Sequence, residues 1–206
     1  MNTPLSFAQI QADPLCIAAR LQAPDGTSVL FRPLTPADAA ILGPYFCGLS
    51  ADTISRYGPH PFDQATADSL CAAVNYQETI RFIAVEGEGQ AERVIAYFIL
   101  QPGIPVDEVT RYARAGITLD PRAGCLIAPS VADAYQSRGL GTPLMRHAFA
   151  VARRLGFSKM VLMGGVYLTN ERAVHYYRKL GFRDIGVTFE NPPNSGRISY
   201  DMHLDL

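Results

Sequence analysis

The heptapeptide YQSRGLG, Tyr135 to Gly141, places two glycines and an arginine directly before the helical run TPLMRHAFAVARRLG. A turn that leads into a helix N-terminus gathers backbone N–H groups with no intrahelical partner, and the helix dipole adds partial positive charge there. Such a turn suits an anion. Glycines at 139 and 141 would let a pyrophosphate meet the main chain without a Cβ in the way, and Arg138 would add a charge-assisted bond. The plainer alternative is a turn that needs glycine only for its backbone angles. Two nucleotide-binding patterns fail on residue type. A dinucleotide fingerprint requires a third small residue where Leu144 stands, and a P-loop requires a lysine that does not follow.

Other reactive side chains offer less. Cys16, Cys47, Cys71 and Cys125 show no C-x-x-C spacing and have no histidine close in sequence. That pattern argues against a zinc site, a disulfide framework or a thiol nucleophile, and leaves reduced packing cysteines. His147, His175 and His203 fall on polar faces and are expected in solvent. The net charge of −1 disfavours a general nucleic-acid binder, and no apolar run approaches the ~20 residues of a membrane span. With 48% hydrophobic residues in 206, the expectation is one globular, cytoplasmic domain acting on a small-molecule substrate, with no metal, nucleic-acid or membrane partner.

The elements that must position these groups read as follows. The first 27 residues carry no clear pattern and end in the turn signal APDG. They are taken as an N-terminal extension, with a single domain from Ser28 to Leu206. SVLFRP (Ser28 to Pro33) is a strand, and Thr35 with Pro36 opens a helix to about Leu49. A second helix follows Asp63. Between the two helices lies ISRYGPHPF, a turn rich in aromatic and cationic groups. TIRFIAVEG and RVIAYFILQ form an antiparallel hairpin. Pro102 to Gly124 shows no clear period over about twenty residues, which marks either a functional lid or an unrecognised element. CLIAPSV is the next strand. Leu144, Ala148, Val151, Ala152 and Leu155 then give an amphipathic helix stopped by Gly156, and KMVLMGGV is a buried strand that completes a βαβ unit. Asn170 caps a further helix ended by Gly181, and two strands around NPPNSG close the chain. In the last of them Ile198, Tyr200, Met202 and Leu204 alternate with Ser199, Asp201, His203 and Asp205.

VADAYQSRGLGTPLMRHAFAVARRLGF followed by LTNERAVHYYRKLGF resembles the GNAT superfamily of N-acetyltransferases. Gln136, Gly139 and Gly141 match its acyl-CoA motif Q/R-x-x-G-x-G/A, and Asn170, Ala173, Tyr177, Gly181 and Phe182 match its second motif. VLFRPLTPADAAIL is similar to the family's first strand and helix, so the likeness runs from Ser28 over nearly the whole chain. It implies an α/β (α+β) fold: a central mixed, mostly antiparallel sheet of about six to seven strands, splayed between strands four and five and flanked by helices.

The resemblance also implies chemistry. An acceptor amine attacks the thioester of acetyl-CoA directly, and a homodimer is compatible with the family. The cofactor side would comprise main chain around Val131 and Asp133, the motif residues Gln136, Ser137, Arg138, Gly139, Leu140, Gly141 and Thr142, and Asn170, Ala173 and Tyr177 of the second motif. Tyr177 occupies the position of the acid that protonates the departing thiolate. Arg56, Tyr57, His60 and Phe62 would wall the acceptor pocket. The strand AGCLIAPSV, however, carries no carboxylate where many members have a glutamate base. Ser130 acting through water, His60, Asp107 and Glu108 remain open for that role, as does a non-catalytic acyl-CoA-binding protein.

Overall fold

The computed structural model describes residues 3–206, which divide into two compact units. The first contains the chain up to Leu100 together with Ala128–Val151; the second contains Gln101–Ile127 and Ala152–Leu206.

In the first unit the opening stretch is structured. A short helix α1 (Phe7–Ala12) is capped reciprocally by Ser6 and Gln9, and β1 (Ala19–Gln22) pairs antiparallel with β2 (Ser28–Pro33) through Ala19↔Phe31. The APDG signal is the hairpin turn between them. β2 pairs with β3 (Ile80–Glu86), and β3 with β4 (Arg93–Pro102), both antiparallel. Alternation on β2 puts Val29, Phe31 and Pro33 inward. Phe31 stacks on Phe82 at 4.9 Å and meets Phe98 edge-on at 5.4 Å. Truncating a fully buried ring such as Phe31 to alanine costs about 3–5 kcal/mol. This cluster sets the register of three strands.

Thr35 and Pro36 start a 3₁₀ turn, Pro36–Asp38, that leads into α2 (Ala39–Cys47). The entry is fixed by Asp38, which accepts from Thr35 N at 2.6 Å and pairs bidentately with Arg32 at 2.7 Å. α3 (Ala51–Arg56) follows, so the first three residues of the expected aromatic turn are helical; α4 (Gln64–Ala72) is capped by Asp63. The glycine turn ends at α6 (Gly141–Arg154).

In the second unit, the stretch without periodicity contains α5 (Val106–Arg114). Asp107 and Glu108 in its first turn and Arg111 and Arg114 in its last complement the helix dipole. The apolar pattern is hidden because the helix buries Glu108 and Tyr112, four residues apart on one face. β5 (Gly124–Val131) pairs parallel with β6 (Lys159–Leu162) from Gly124↔Lys159 to Ile127↔Leu162. The ladder stops there.

β6 ends well short of the apolar run that suggested it. Gly164 and Gly165 both have positive φ, 69° and 70°, and Gly165 N–H turns back to Leu162 O at 3.1 Å. A Cβ on Gly165 would stand 2.8 Å from Tyr200 O, so the turn admits no side chain there. β7 (Val166–Tyr167) and β8 (Arg183–Glu190) both pair antiparallel with β9 (Ile198–Asp205), as does β6. α7 (Glu171–Lys179) is capped by Asn170, whose Oδ1 accepts from Ala173 N at 3.3 Å. The sheet is mixed and mostly antiparallel, flanked by helices, with nine strands among the described residues because β1 and the two-residue β7 are added.

β9 buries polar residues of one face as well as Met202 of the other. Ser199, Asp201 and His203 are buried, whereas Ile198 is exposed. His203 is therefore not a solvated histidine. Its strand lies between partners in the sheet, and Arg111 of α5 supplies the counter-charge that lets Asp201 stay inside. His147 is likewise half-buried, with Nε2 2.8 Å from Ile17 O, while His175 is exposed.

Candidate active site

The glycine turn is built within the first unit. Gln136 pins it, donating through Nε2 to Val131 O at 2.9 Å and to Thr53 Oγ1 at 3.1 Å. Ser137 and Gly139 adopt positive φ of 60° and 86°, Leu140 is buried, and Thr142 N bonds Gly139 O at 3.3 Å. These constraints fix the main chain at the N-terminus of a fourteen-residue helix, the geometry an anion site needs.

Two residues of the turn have neighbours that the sequence did not show. The place a Gly139 Cβ would occupy is filled by the Pro24 ring, 2.9 Å away, so the missing side chain admits the β1–β2 turn. Arg138 is held by that same turn. Its Nε pairs with Asp25 at 2.6 Å, Nη2 donates to Thr27 Oγ1 at 3.4 Å, and the guanidinium lies 5.0 Å over Tyr135. Asp133, whose main chain was the part expected at the pantetheine arm, turns its carboxylate to α3, accepting from Ser50 N, Ser50 Oγ and Thr53 Oγ1 at 2.7–2.9 Å.

Ser130 is buried, and its Oγ accepts from Tyr45 OH at 2.9 Å. Tyr57, His60 and Phe62 lie in one aromatic cluster with Phe46 and Tyr97. His60 Nδ1 is 2.7 Å from Pro61 O and Nε2 is 3.1 Å from Tyr97 OH. With Nδ1 donating to the carbonyl, Nε2 is the acceptor for the phenol, and burial holds the imidazole neutral by lowering its pKa. Tyr57 OH donates to Ala128 O at 3.0 Å, on the part of β5 beyond the β6 ladder. Arg56 lies at the end of α3 and pairs with Asp52 at 3.0 Å.

In the second unit Tyr177 is buried on α7 against Tyr176 and Phe182, at 5.3 and 5.5 Å between ring centroids. Burial raises its phenol well above the ordinary value of 10.0, so it is protonated at neutral pH. The same unit holds a buried polar group that no motif announced. Arg111 pairs bidentately with Asp201, at 2.8 and 3.0 Å, and its guanidinium lies 4.2 Å over the Phe189 ring. Glu108 Oε1 is 3.9 Å from Arg111 and accepts from Gly164 N at 3.4 Å; its Oε2 is buried with no partner among the described residues. Burial raises the Glu108 carboxyl to about 7, against partial relief from Arg111 and Gly164.

A sequence profile of the acetyltransferase (GNAT) family matches residues 51–182, which spans both the glycine turn and the capped helix. The chain belongs to that family. Acetyltransferase PA5475 of Pseudomonas aeruginosa is 30% identical over 144 residues, a match covering 66%, just under two thirds, of each chain. Among solved structures, the GNAT domain of S. lividans PAT has a TM-score of 0.69 at 19% identity, covering 94% of this chain and 99% of that one. The yncA acetyltransferase of Salmonella typhimurium, solved with acetyl-CoA, has a TM-score of 0.60 at 17% identity, covering 86% and 94%. Both share the fold.

Within this GNAT chain the motif residues were legible and the carboxylate was not singled out. Glu108 carried one usable signal: an acid at i and an aromatic at i+4, after Pro105, with arginines closing the turn. Asp107, its neighbour and rival for the base, is exposed. Among the described residues no helix is long and apolar enough to cross a membrane, and no His, Cys, Asp and Glu group could hold a metal ion.

Proposed function

We propose that this protein moves an acetyl group from acetyl-CoA to a primary amine of a small-molecule or protein acceptor by direct attack. The observation that carries the reading is the turn at Gln136–Gly141, fixed by Gln136 and by two left-handed residues at a helix N-terminus inside the matched family region. Main-chain N–H groups of Arg138 to Thr142 hold the pyrophosphate, and main chain around Val131 and Asp133 receives the pantetheine arm. Acetyl-CoA supplies the activated acyl group when bound.

Direct attack is supported by the two buried thiols. Burial raises Cys71 to about 11 and Cys125 to about 12, far from a nucleophilic thiolate at neutral pH. Tyr177, protonated and on the motif helix, serves as the donor to the departing sulfur.

Calorimetry with acetyl-CoA tests the binding half. Gly141→Asp sets a side chain and a negative charge at the anion site and should abolish binding in a folded protein. Undiminished binding would remove the turn from the site. Free thiol released with a panel of primary amines tests the reaction; binding with no release from any amine would leave an acyl-CoA-binding protein.

A further inference from the structure

We propose that Arg81 holds a carboxylate carried by the acceptor, which makes the substrate a small amino carboxylate with an apolar body. This rests on the acetyltransferase reading above and narrows its acceptor; every residue involved belongs to the first unit.

Strand register decides which way Arg81 faces. In the antiparallel β3–β4 pair Arg81 stands opposite Ile99 and Ile83 opposite Tyr97, and residues directly opposite, or two apart on one strand, share a face. Phe82 and Phe98 take the other face, where they meet Phe31. Arg81 therefore projects on the side where Tyr97 meets Phe46 of α2 at 5.3 Å and His60 at 5.7 Å between ring centroids. Its guanidinium lies beside the Tyr97 phenol. That phenol gives its one hydrogen to His60 Nε2, which leaves the phenol oxygen to steady the cation.

An arginine in such a place needs an anion, and the fold does not provide one. Arg32 on β2 is met by Asp38, and Arg93 on β4 by Glu86. Among the described residues no carboxylate pairs with Arg81, and its Nε is buried with no hydrogen-bond partner. The acids whose charge reaches its neighbours His60 and Cys71 are committed elsewhere. Asp38 is held by Arg32, Asp63 by the Thr66 N–H and Asp68 by Gln64. A buried guanidinium nitrogen without an acceptor is costly, and an incoming carboxylate satisfies it.

Charge and shape select the ligand. Burial first, and then the Arg81 charge, lower the His60 pKa against the Pro61 carbonyl, so the imidazole is neutral and Arg81 brings a single positive charge. One cation suits a carboxylate monoanion better than a phosphate dianion, and the planar guanidinium meets a carboxylate through two parallel N–H bonds. The Phe46, Phe62 and Tyr57 rings beside His60 suit an apolar body. Tyr57 ties these rings to β5, donating to Ala128 O at 3.0 Å, three residues before Val131, where the transferase reading sets the pantetheine arm. β3 and β5 flank β4, so they lie about 10 Å apart across the sheet, a gap that an arginine side chain and a small amino acid bridge between them.

The test uses the full chain and two pairs of amines that differ only by the carboxylate: phenylalanine against phenethylamine, and leucine against isoamylamine, with spermidine as a third probe. Thiol release at saturating acetyl-CoA gives kcat/KM. In at least one pair the wild type should favour the acid by about 10–10²-fold. Arg81→Gln should bring that ratio to about one, chiefly by raising the KM of the acid, and keep acetyl-CoA affinity within about twofold. Arg81→Lys keeps the charge without the planar fork and should retain part of the preference. A merely structural arginine predicts equal losses for acid and amine together with a lower Tm. Wild-type calorimetry needs no variant: in the presence of CoA, the N-acetyl product of the favoured acid should bind about 10–10²-fold more tightly than that of its partner amine. No preference for the acid in either pair, equal losses in Arg81→Gln, or turnover of spermidine alone overturns the carboxylate site and spares the transferase reading. A wild-type protein that binds acetyl-CoA yet releases no thiol with any probe overturns both.

Discussion

Glu108 makes a prediction about stability that needs no acceptor at all. Its carboxyl is raised to about 7 from an ordinary 4.5, with burial as the leading cause. The folded protein therefore binds this proton more tightly than the unfolded chain. The associated stabilisation is complete below about pH 4.5 and is lost as the pH rises to about 7. At about 1.4 kcal/mol per pH unit, the interval amounts to roughly 3 kcal/mol. Glu108 is only 7% exposed, so solvent screening takes little of this away. Glutamine has the same shape and cannot ionise. Glu108→Gln should match the wild type within about 1 kcal/mol at pH 4.5, where the wild-type carboxyl is protonated and itself hydrogen-bonds Gly164. By pH 8 it should be the more stable protein by roughly 3 kcal/mol, or about 6–12 °C in Tm for a chain of this length. Melting curves of both proteins at half-unit intervals from pH 4.5 to 8 measure the difference directly. His203, whose pKa burial lowers, titrates in both proteins and drops out of it. A Tm difference independent of pH would refute the reasoning, because it would mean Glu108 ionises as it does in the unfolded chain.

The turn and the motif helix give two further outcomes. Gly139→Ala forces a left-handed φ of 86° on an L-residue, about 1–2 kcal/mol, and sets its Cβ 2.9 Å from the Pro24 ring; Pro24→Ala in that background should return the steric part alone, a double-mutant cycle read by denaturant unfolding, and full recovery would mean the backbone angle costs nothing. Tyr177→Phe keeps the ring packed on Tyr176 and Phe182 and deletes the hydroxyl, so kcat should fall about 10 to 10³-fold with acetyl-CoA affinity unchanged; wild-type kcat in the mutant removes Tyr177 from the chemistry.

What the sequence discloses here follows the range of the interactions. Signals that act within one turn were readable: the Asn170 cap and its Ala173 N–H partner lie three residues apart, and so do Asp63 and Thr66. The glycine turn was readable for the same reason. Its occupants were not. Pro24 and Asp25 reach Gly139 and Arg138 across more than a hundred residues, and nothing local at Arg138 reveals that its charge is met by the β1–β2 hairpin. Arg138 read alone is a phosphate ligand; beside Asp25 it is first a clasp on the N-terminal strands.

The second unit was obscured by a different physical cause. Sequence periodicity locates buried faces by their apolar residues, and this unit buries charge instead. α5 turns Glu108 and Tyr112 inward, and β9 turns Ser199, Asp201 and His203 inward. Each pattern alone reads as surface. Together they are mutually required: Asp201 is fully buried with both its oxygens bonded by Arg111, and Arg111 reaches it only if α5 is a helix. The buried polar face of β9 and the missing helix are thus one omission, the unseen Arg111–Asp201 pair. That pair also explains why a glutamate so close to an arginine is not held ionised. Asp201 takes the cation, and Glu108 keeps a proton affinity near neutrality.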